Sequence, residues 1–118
     1  MDPSHKKFRI SGPEIRQLIP NLGGCVASDR IVVDGLNVGY MYREEPRDDV
    51  DSGWAFLSGD ESQDYVDVPA NWGVYAVNTI CNYDPAIIPY LDSPSGKAFG
   101  RTQGTGSFEE EEFREDRE

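Results

Sequence analysis

Gly53 to Ser95 reads GWAFLSGDESQDYVDVPANWGVYAVNTICNYDPAIIPYLDSPS, and it is the stretch that decides the fold. Trp54-Ala55-Phe56-Leu57 is apolar at successive positions, so both faces of a strand there would be covered, as in a central strand. Ser58-Gly59-Asp60-Glu61 ends it with turn chemistry. Glu61 to Val68 has room for one or two helical turns, and Pro69-Ala70-Asn71 is a loop. Val74, Val77, Ile80 and Cys81 suit one face of a helix, while Val74 to Val77 equally suits a strand. Asp84-Pro85 is a cap followed by proline at the first helical position. Ile87, Ile88 and Leu91 then line a short helix interrupted by Pro89, and Ser93 to Gly96 is a turn.

Working outward toward the N-terminus, Glu44 to Ser52 is a charged connection between strands. Leu36, Val38, Tyr40 and Tyr42 alternate with Asn37, Gly39, Met41 and Arg43, the pattern of a half-buried antiparallel strand. Asp34-Gly35 marks a tight turn before it. Cys25 to Ser28 and Ile31 to Val33 read as short strands. Ser11, Pro13 and Glu14 form a helix start, followed by a stripe of Ile15, Leu18, Ile19 and Leu22 that Pro20 and Gly23-Gly24 cut short. Toward the C-terminus, Ala98-Phe99 reads as a last edge strand. The expected organisation is an arm over 1–10, an α+β domain over 11–101, and a Gly-rich linker with a disordered or weakly helical acidic tail over 102–118. The domain would hold an antiparallel sheet of about four or five strands with short helices on one side.

The 118 residues suit one domain with its own core. Asp and Glu number 22 against 11 Lys and Arg, a formal net charge of −11. That argues against nucleic acid and anionic membrane as partners, since both need a cationic footprint. It suits a basic partner, or simply a soluble protein. The excess lies in residues 48–118, with 16 acidic and four basic side chains. Two cysteines, Cys25 and Cys81, have no CxxC spacing and read as core residues of a reducing compartment, though a disulfide between them stays open. No apolar run follows Lys6-Lys7 and no window approaches about 18 apolar residues. The cytoplasm is the expected location.

Catalytic and metal chemistry find little support. His5 is the single histidine and sits in the arm, so neither a Ser-His-Asp site nor a zinc tetrahedron is expected. Gly100, Gly104 and Gly106 lack the strand-then-helix context of a nucleotide loop. Asp60, Glu61, Asp64 and Asp67 form a carboxylate cluster without calcium-loop spacing. A solvated acidic face is the commoner meaning of such a cluster than a metal or a hydrolytic site. No cofactor is expected.

Three segments, in order, resemble the immunity protein 33 domain family, formerly a domain of unknown function. They are Val38-Gly39-Tyr40-Met41-Tyr42-Arg43-Glu44-Glu45-Pro46, then Ser52-Gly53-Trp54-Ala55-Phe56-Leu57-Ser58-Gly59-Asp60-Glu61, then Asn78-Thr79-Ile80-Cys81-Asn82-Tyr83-Asp84-Pro85 running on to Asp92-Ser93-Pro94. The match spans about Cys25 to Arg101. The resemblance implies a small cytosolic α+β domain. Many members belong to polymorphic toxin systems, where the immunity protein binds and neutralises its own strain's toxin; others occur outside such loci. It implies no catalytic residues. Gly39, Tyr40, Gly53, Trp54, Phe56, Gly59, Tyr83, Asp84 and Pro85 would be structural, with Tyr40, Trp54 and Phe56 in the core.

The expected function is therefore non-enzymatic: neutralising a cognate, basic toxin with a carboxylate-rich surface. Asp60, Glu61, Asp64 and Asp67 would supply the charge, Glu44 and Glu45 the rim, and Tyr65 or Trp72 an aromatic anchor. The alternative is a small-molecule-binding or enzymatic domain using the same acids.

Overall fold

A computed structural model describes residues 7–10, 12–102 and 104–111. His5, the Ser11 cap and the end of the acidic tail lie outside the described residues. The elements run β1 (Gly24–Ser28), α1 (Asp29–Val32), β2 (Tyr40–Arg43), β3 (Asp51–Leu57), α2 (Gln63–Val66), β4 (Trp72–Ala76), α3 (Val77–Tyr83), β5 (Ala98–Arg101) and β6 (Phe108–Glu111), with short 3-10 turns at Gly12–Glu14, Pro69–Asn71 and Pro85–Tyr90. The six strands form one sheet in the order β4-β1-β3-β2-β5-β6. The α+β class holds. The sheet is mixed, because β1 and β3 are parallel while every other pair is antiparallel.

The Trp54 strand is central, as its two-sided apolar pattern requires. On one face of β3, Trp54 and Phe56 are fully buried and their rings stack 5.8 Å apart between centroids. They join Ala27, Ile31, Met41, Val77, Ile80, Ile87 and Phe99 in the main core, which the helices cover. On the other face, Ala55 packs with Tyr42 and Ala98 in a second, smaller cluster edged by Val26, Tyr40 and Leu57. Tyr40 is thus not in the main core with Trp54; strand alternation places it on the opposite face. Met41, read from the sequence as the polar-side residue, is the fully buried one.

Two motif glycines are there because backbone passes too close for a side chain. A Cβ on Gly39 would lie 2.0 Å from the Ser58 carbonyl oxygen. Gly53 has φ +86, and a Cβ there would lie 2.1 Å from the Glu44 carbonyl oxygen. Both contacts hold β2 against β3. Where β1 and β3 shift register near Gly24, the buried Ser52 hydroxyl donates to the Gly24 carbonyl at 2.6 Å and accepts from the Trp54 amide at 3.1 Å.

Several local expectations are corrected. Residues 31–33 do not form a strand. Ser28 accepts from the Arg30 amide at 3.0 Å and caps α1, so Ile31 and Val32 enter the core from a helix. The Ile15–Leu22 stripe is not a helix either, for only Gly12–Glu14 turns. Its backbone is held instead by α3: the Asn78 carboxamide accepts from Leu18 at 2.7 Å and Ile19 at 3.2 Å, and Asn82 accepts from Arg16 at 2.9 Å. Those amides have no need of a helical partner, and Ile19 still reaches the core. Trp72 begins strand β4 directly after the Pro69–Asn71 turn. Ala98-Phe99 is not an edge, and the expected tail beyond residue 102 is not structureless throughout. Phe108–Glu111 pairs with β5, and Phe108 is buried against Tyr90 with centroids 5.2 Å apart. Three glutamates follow Phe108 on that strand, which discourages further strand pairing at the sheet edge.

Cys25 and Cys81 are buried free thiols. Burial, helped by the nearby Asp84 charge, pushes the Cys81 thiol up to about 11.

Candidate functional site

Helices α1 and α3 pack on one face of the sheet, and the opposite face is covered only in part, by α2 beside Trp72, Leu57 and Tyr40. Register places Val74 and Trp72 of β4, Val26 of β1, Ala55 and Leu57 of β3, Tyr40 and Tyr42 of β2, and Ala98 of β5 on that face. Trp72, Val26, Leu57 and Tyr40 are half-buried, and Val74 is 77% exposed. Tyr42, Ala55 and Ala98 are buried within this strip, so Val74 is its one strongly exposed member among the described residues.

Two cavities of about 220 Å³ each flank Tyr42 on this strip. The first lies between the sheet and α2, lined by Tyr40, Tyr42, Leu57, Glu61, Val66 and Trp72. The Trp72 indole donates to the Val66 carbonyl at 2.9 Å, which fixes the ring against α2. The second is lined by Val26, Tyr42, Ala55, Glu44, Arg47 and Asp51. A broader concavity of about 580 Å³ lies at the β1–β4 end, beside Gly24, Asp49, Val50 and Val74.

The residues expected to carry function fall into distinct places. Glu61 faces inward. Its carboxylate accepts from the Ser58 amide at 2.9 Å, the Ser58 hydroxyl at 3.1 Å and the Gly59 amide at 2.9 Å, closing the turn after β3. Burial pushes its carboxyl up, but the hydrogen bonds from the Ser28 hydroxyl and these amides outweigh it, leaving it below the usual carboxylate range. Asp60 is exposed, accepts from the Ser58 hydroxyl at 2.5 Å and lies 3.6 Å from Arg30. Asp64 is exposed in the first turn of α2, which Ser62 caps by accepting from the Tyr65 amide at 3.1 Å. Asp67 ends that helix and accepts from Gln63 at 2.9 Å. Tyr65 is half-buried with the Arg30 guanidinium 5.3 Å over its ring.

Glu44 lines the second cavity, and Glu45 is exposed just beyond it. The structure thus brings Glu61 and Trp72 into one cavity and Glu44 into its neighbour, with Asp64 and Asp67 on the adjoining helix. Asp60 and Tyr65 are engaged with Arg30 instead.

Sequence reasoning missed Tyr42, Leu57, Val66, Val26 and Val74 as members of this surface. The alternation of Tyr40 and Tyr42 around Met41 was the available signal. It was assigned to the wrong face because Leu36 and Val38 precede it in the same phase. Asp51 was also missed. Burial pushes its carboxyl up, and the bonds from the Arg47 and Gly53 amides hold it below the usual range nonetheless.

Of the remaining motif residues, Tyr83 accepts from the Ile10 amide at 3.1 Å and donates to the Val32 carbonyl at 3.2 Å, a structural duty. Asp84 is 5% exposed and caps the turn that Pro85 begins, accepting from Ala86 at 3.2 Å. Gly59 has φ +100 in the turn that Glu61 closes. Among the described residues, no three His, Cys, Asp or Glu side chains converge to hold a metal ion. No helix there is long and apolar enough to cross a membrane.

A search among curated proteins and a search among solved structures each find no match. A family model, the Immunity protein Imm33 domain, matches residues 25–112, from the core strand β1 through the edge strand β6. This chain belongs to the Imm33 immunity protein domain family.

Proposed function

We propose that this protein is a non-enzymatic immunity protein that neutralises a toxin in the cytoplasm by binding it with the sheet face opposite its main core. The observation that carries the reading is the apolar strip of Trp72, Val74, Val26, Leu57, Tyr40 and Tyr42 on the sheet face opposite the main core, only partly covered by α2, in a chain of an immunity family. Tyrosine and tryptophan on a rigid sheet make good central anchors, because they bury large area at small entropic cost. Asp64, Asp67, Glu44 and Glu45 stand around this strip rather than at its middle. Charges so placed act on the rate of encounter more than on the lifetime of the complex. The carboxylate-rich surface is therefore the steering part of the site, and the aromatic strip the holding part.

A second reading, a small-molecule-binding domain, draws on the concavity of about 580 Å³, which falls within the ~300–1,000 Å³ usual for ligand pockets. Val50 and Val74 stand out at its rim, 71% and 77% exposed, which favours a protein surface over an enclosing pocket.

The test is co-expression. The toxin candidate is a product of a neighbouring gene that arrests growth when expressed alone. Growth should return when this protein is co-expressed, and the two should co-purify. Persistent arrest with abundant folded protein would contradict the immunity reading.

A further inference from the structure

The cavity between α2 and the sheet has an unusual combination of walls. Trp72, Tyr40 and Tyr42 offer aromatic rings, Leu57 and Val66 offer apolar contact, and Glu61 is the one charged lining group among the described residues. An anion would meet a carboxylate there. An apolar side chain would take water from that carboxylate and return nothing. A cation with a flat, weakly hydrated head satisfies both the rings and the charge, and among side chains that is arginine rather than lysine.

The chain itself uses this combination elsewhere. The Arg101 guanidinium lies 4.8 Å from the Phe108 ring centre and pairs with the Asp84 carboxylate. Arg30 lies 5.3 Å over Tyr65 beside Asp60, and Arg43 lies 5.7 Å over Trp54 with the Ser52 and Ser93 carbonyls in place of a carboxylate. The surroundings of the cavity are complementary to a basic visitor too. Asp64 and Asp67 each follow a lining residue of α2, Gln63 and Val66, and the neighbouring cavity has Glu44 and Asp51 against the cation Arg47.

We propose that this cavity is the anchor pocket for an arginine side chain of the toxin, resting on the reading above that this sheet face is the toxin-binding surface. The hydrogen bonds that already engage both Glu61 oxygens leave it acting through its charge, while the aromatic rings stack on the guanidinium. Gln63 lines the same cavity, exposed to solvent and bonded to Asp67.

The experiment titrates the folded 118-residue protein, labelled for amide NMR, with an acetylated Gly-Arg-Gly-Arg-Gly peptide and its citrulline twin, which has the same shape without the charge. The arginine peptide should give saturating shifts centred on the Trp72 indole N–H and the amides of Leu57, Glu61 and Gln63. The citrulline peptide should bind about tenfold more weakly or less. Gln63→Lys adds a competing cation at an exposed position and should weaken the arginine peptide by a similar factor. Tyr40→Leu keeps an apolar wall, removes one ring, and should weaken it too. Shifts spread across the acidic surface, equal binding of the citrulline peptide, or unchanged binding by Gln63→Lys would overturn the pocket. Protection in co-expression reads the parent proposal separately: protection without localised shifts contradicts the pocket alone, and localised shifts without protection contradict the immunity reading and, with it, the toxin as the source of the arginine.

Discussion

The Asp84 carboxylate and the Arg101 guanidinium pair in the interior, with side chains only 7% and 14% exposed. Asp84 also accepts from the Val38 amide at 2.9 Å, and Arg101 donates to the Val38 carbonyl at 2.8 Å. One ion pair therefore ties the turn after α3, the entry to β2 and the strand β5 together. Arg101 further lies over Phe108, so the same contact reaches the edge strand.

Removing either partner leaves the other charge buried without its mate. Arg101→Met should cost about 3–5 kcal/mol of stability, and Asp84→Asn should cost heavily too. The double variant should lose clearly less than the sum of the two, a coupling readable from urea titrations. Additive losses would show that the pair is not a unit.

The edge strand gives a second expectation. Phe108 is buried against Tyr90 and Arg101, so Phe108→Ala should destabilise by about 3–5 kcal/mol. Glu109→Gln, at an exposed position of the same strand, should leave thermal melting unchanged. A chain cut after Arg101 that melts like the full chain would contradict the docking of β6.

This strand shows where the sequence ran out. Phe108 is one apolar residue after a glycine-rich stretch and before a run of glutamates, and no periodicity in four residues announces a strand. Its place is set by partners outside the segment, the paired backbone of Ala98–Arg101 and the ring of Tyr90. The same reason hid the 15–19 segment, whose helical spacing is real but whose backbone is claimed by Asn78 and Asn82. What was legible was local: the two-sided Trp54 strand, the Asp84-Pro85 cap, and the glycines packed against backbone. The sheet face opposite the main core was half legible. Trp72 and Glu61 were candidates by residue type, but their meeting with Tyr40 and Tyr42 is made by pairing across the sheet.

Glu61 gives a pH expectation. Its folded carboxyl lies below the ordinary glutamate range because Ser28, Ser58 and Gly59 donate to it despite burial. A depressed carboxylate stabilises the fold above its unfolded value, and that contribution is lost as pH falls through the folded value. Glu61→Gln should melt below wild type at neutral pH, and the gap should close on acidification through the range below 4.5. A gap that stays constant across a pH series of melts would show that the charge at Glu61 does not support the turn.

The central claim is that the sheet face opposite the main core binds the toxin, and growth protection by two charge-matched variants tests it most directly. Gln63→Lys and Asp92→Asn each raise the net charge by the same amount at exposed positions. The first stands at the cavity on that face; the second stands in the turn after the Pro85–Tyr90 helix. With both variants folded and equally abundant, Asp92→Asn should rescue growth like wild type, while Gln63→Lys should rescue weakly or not at all. Full rescue by Gln63→Lys with loss of rescue by Asp92→Asn would contradict the assignment and move the toxin to the helical side of the molecule.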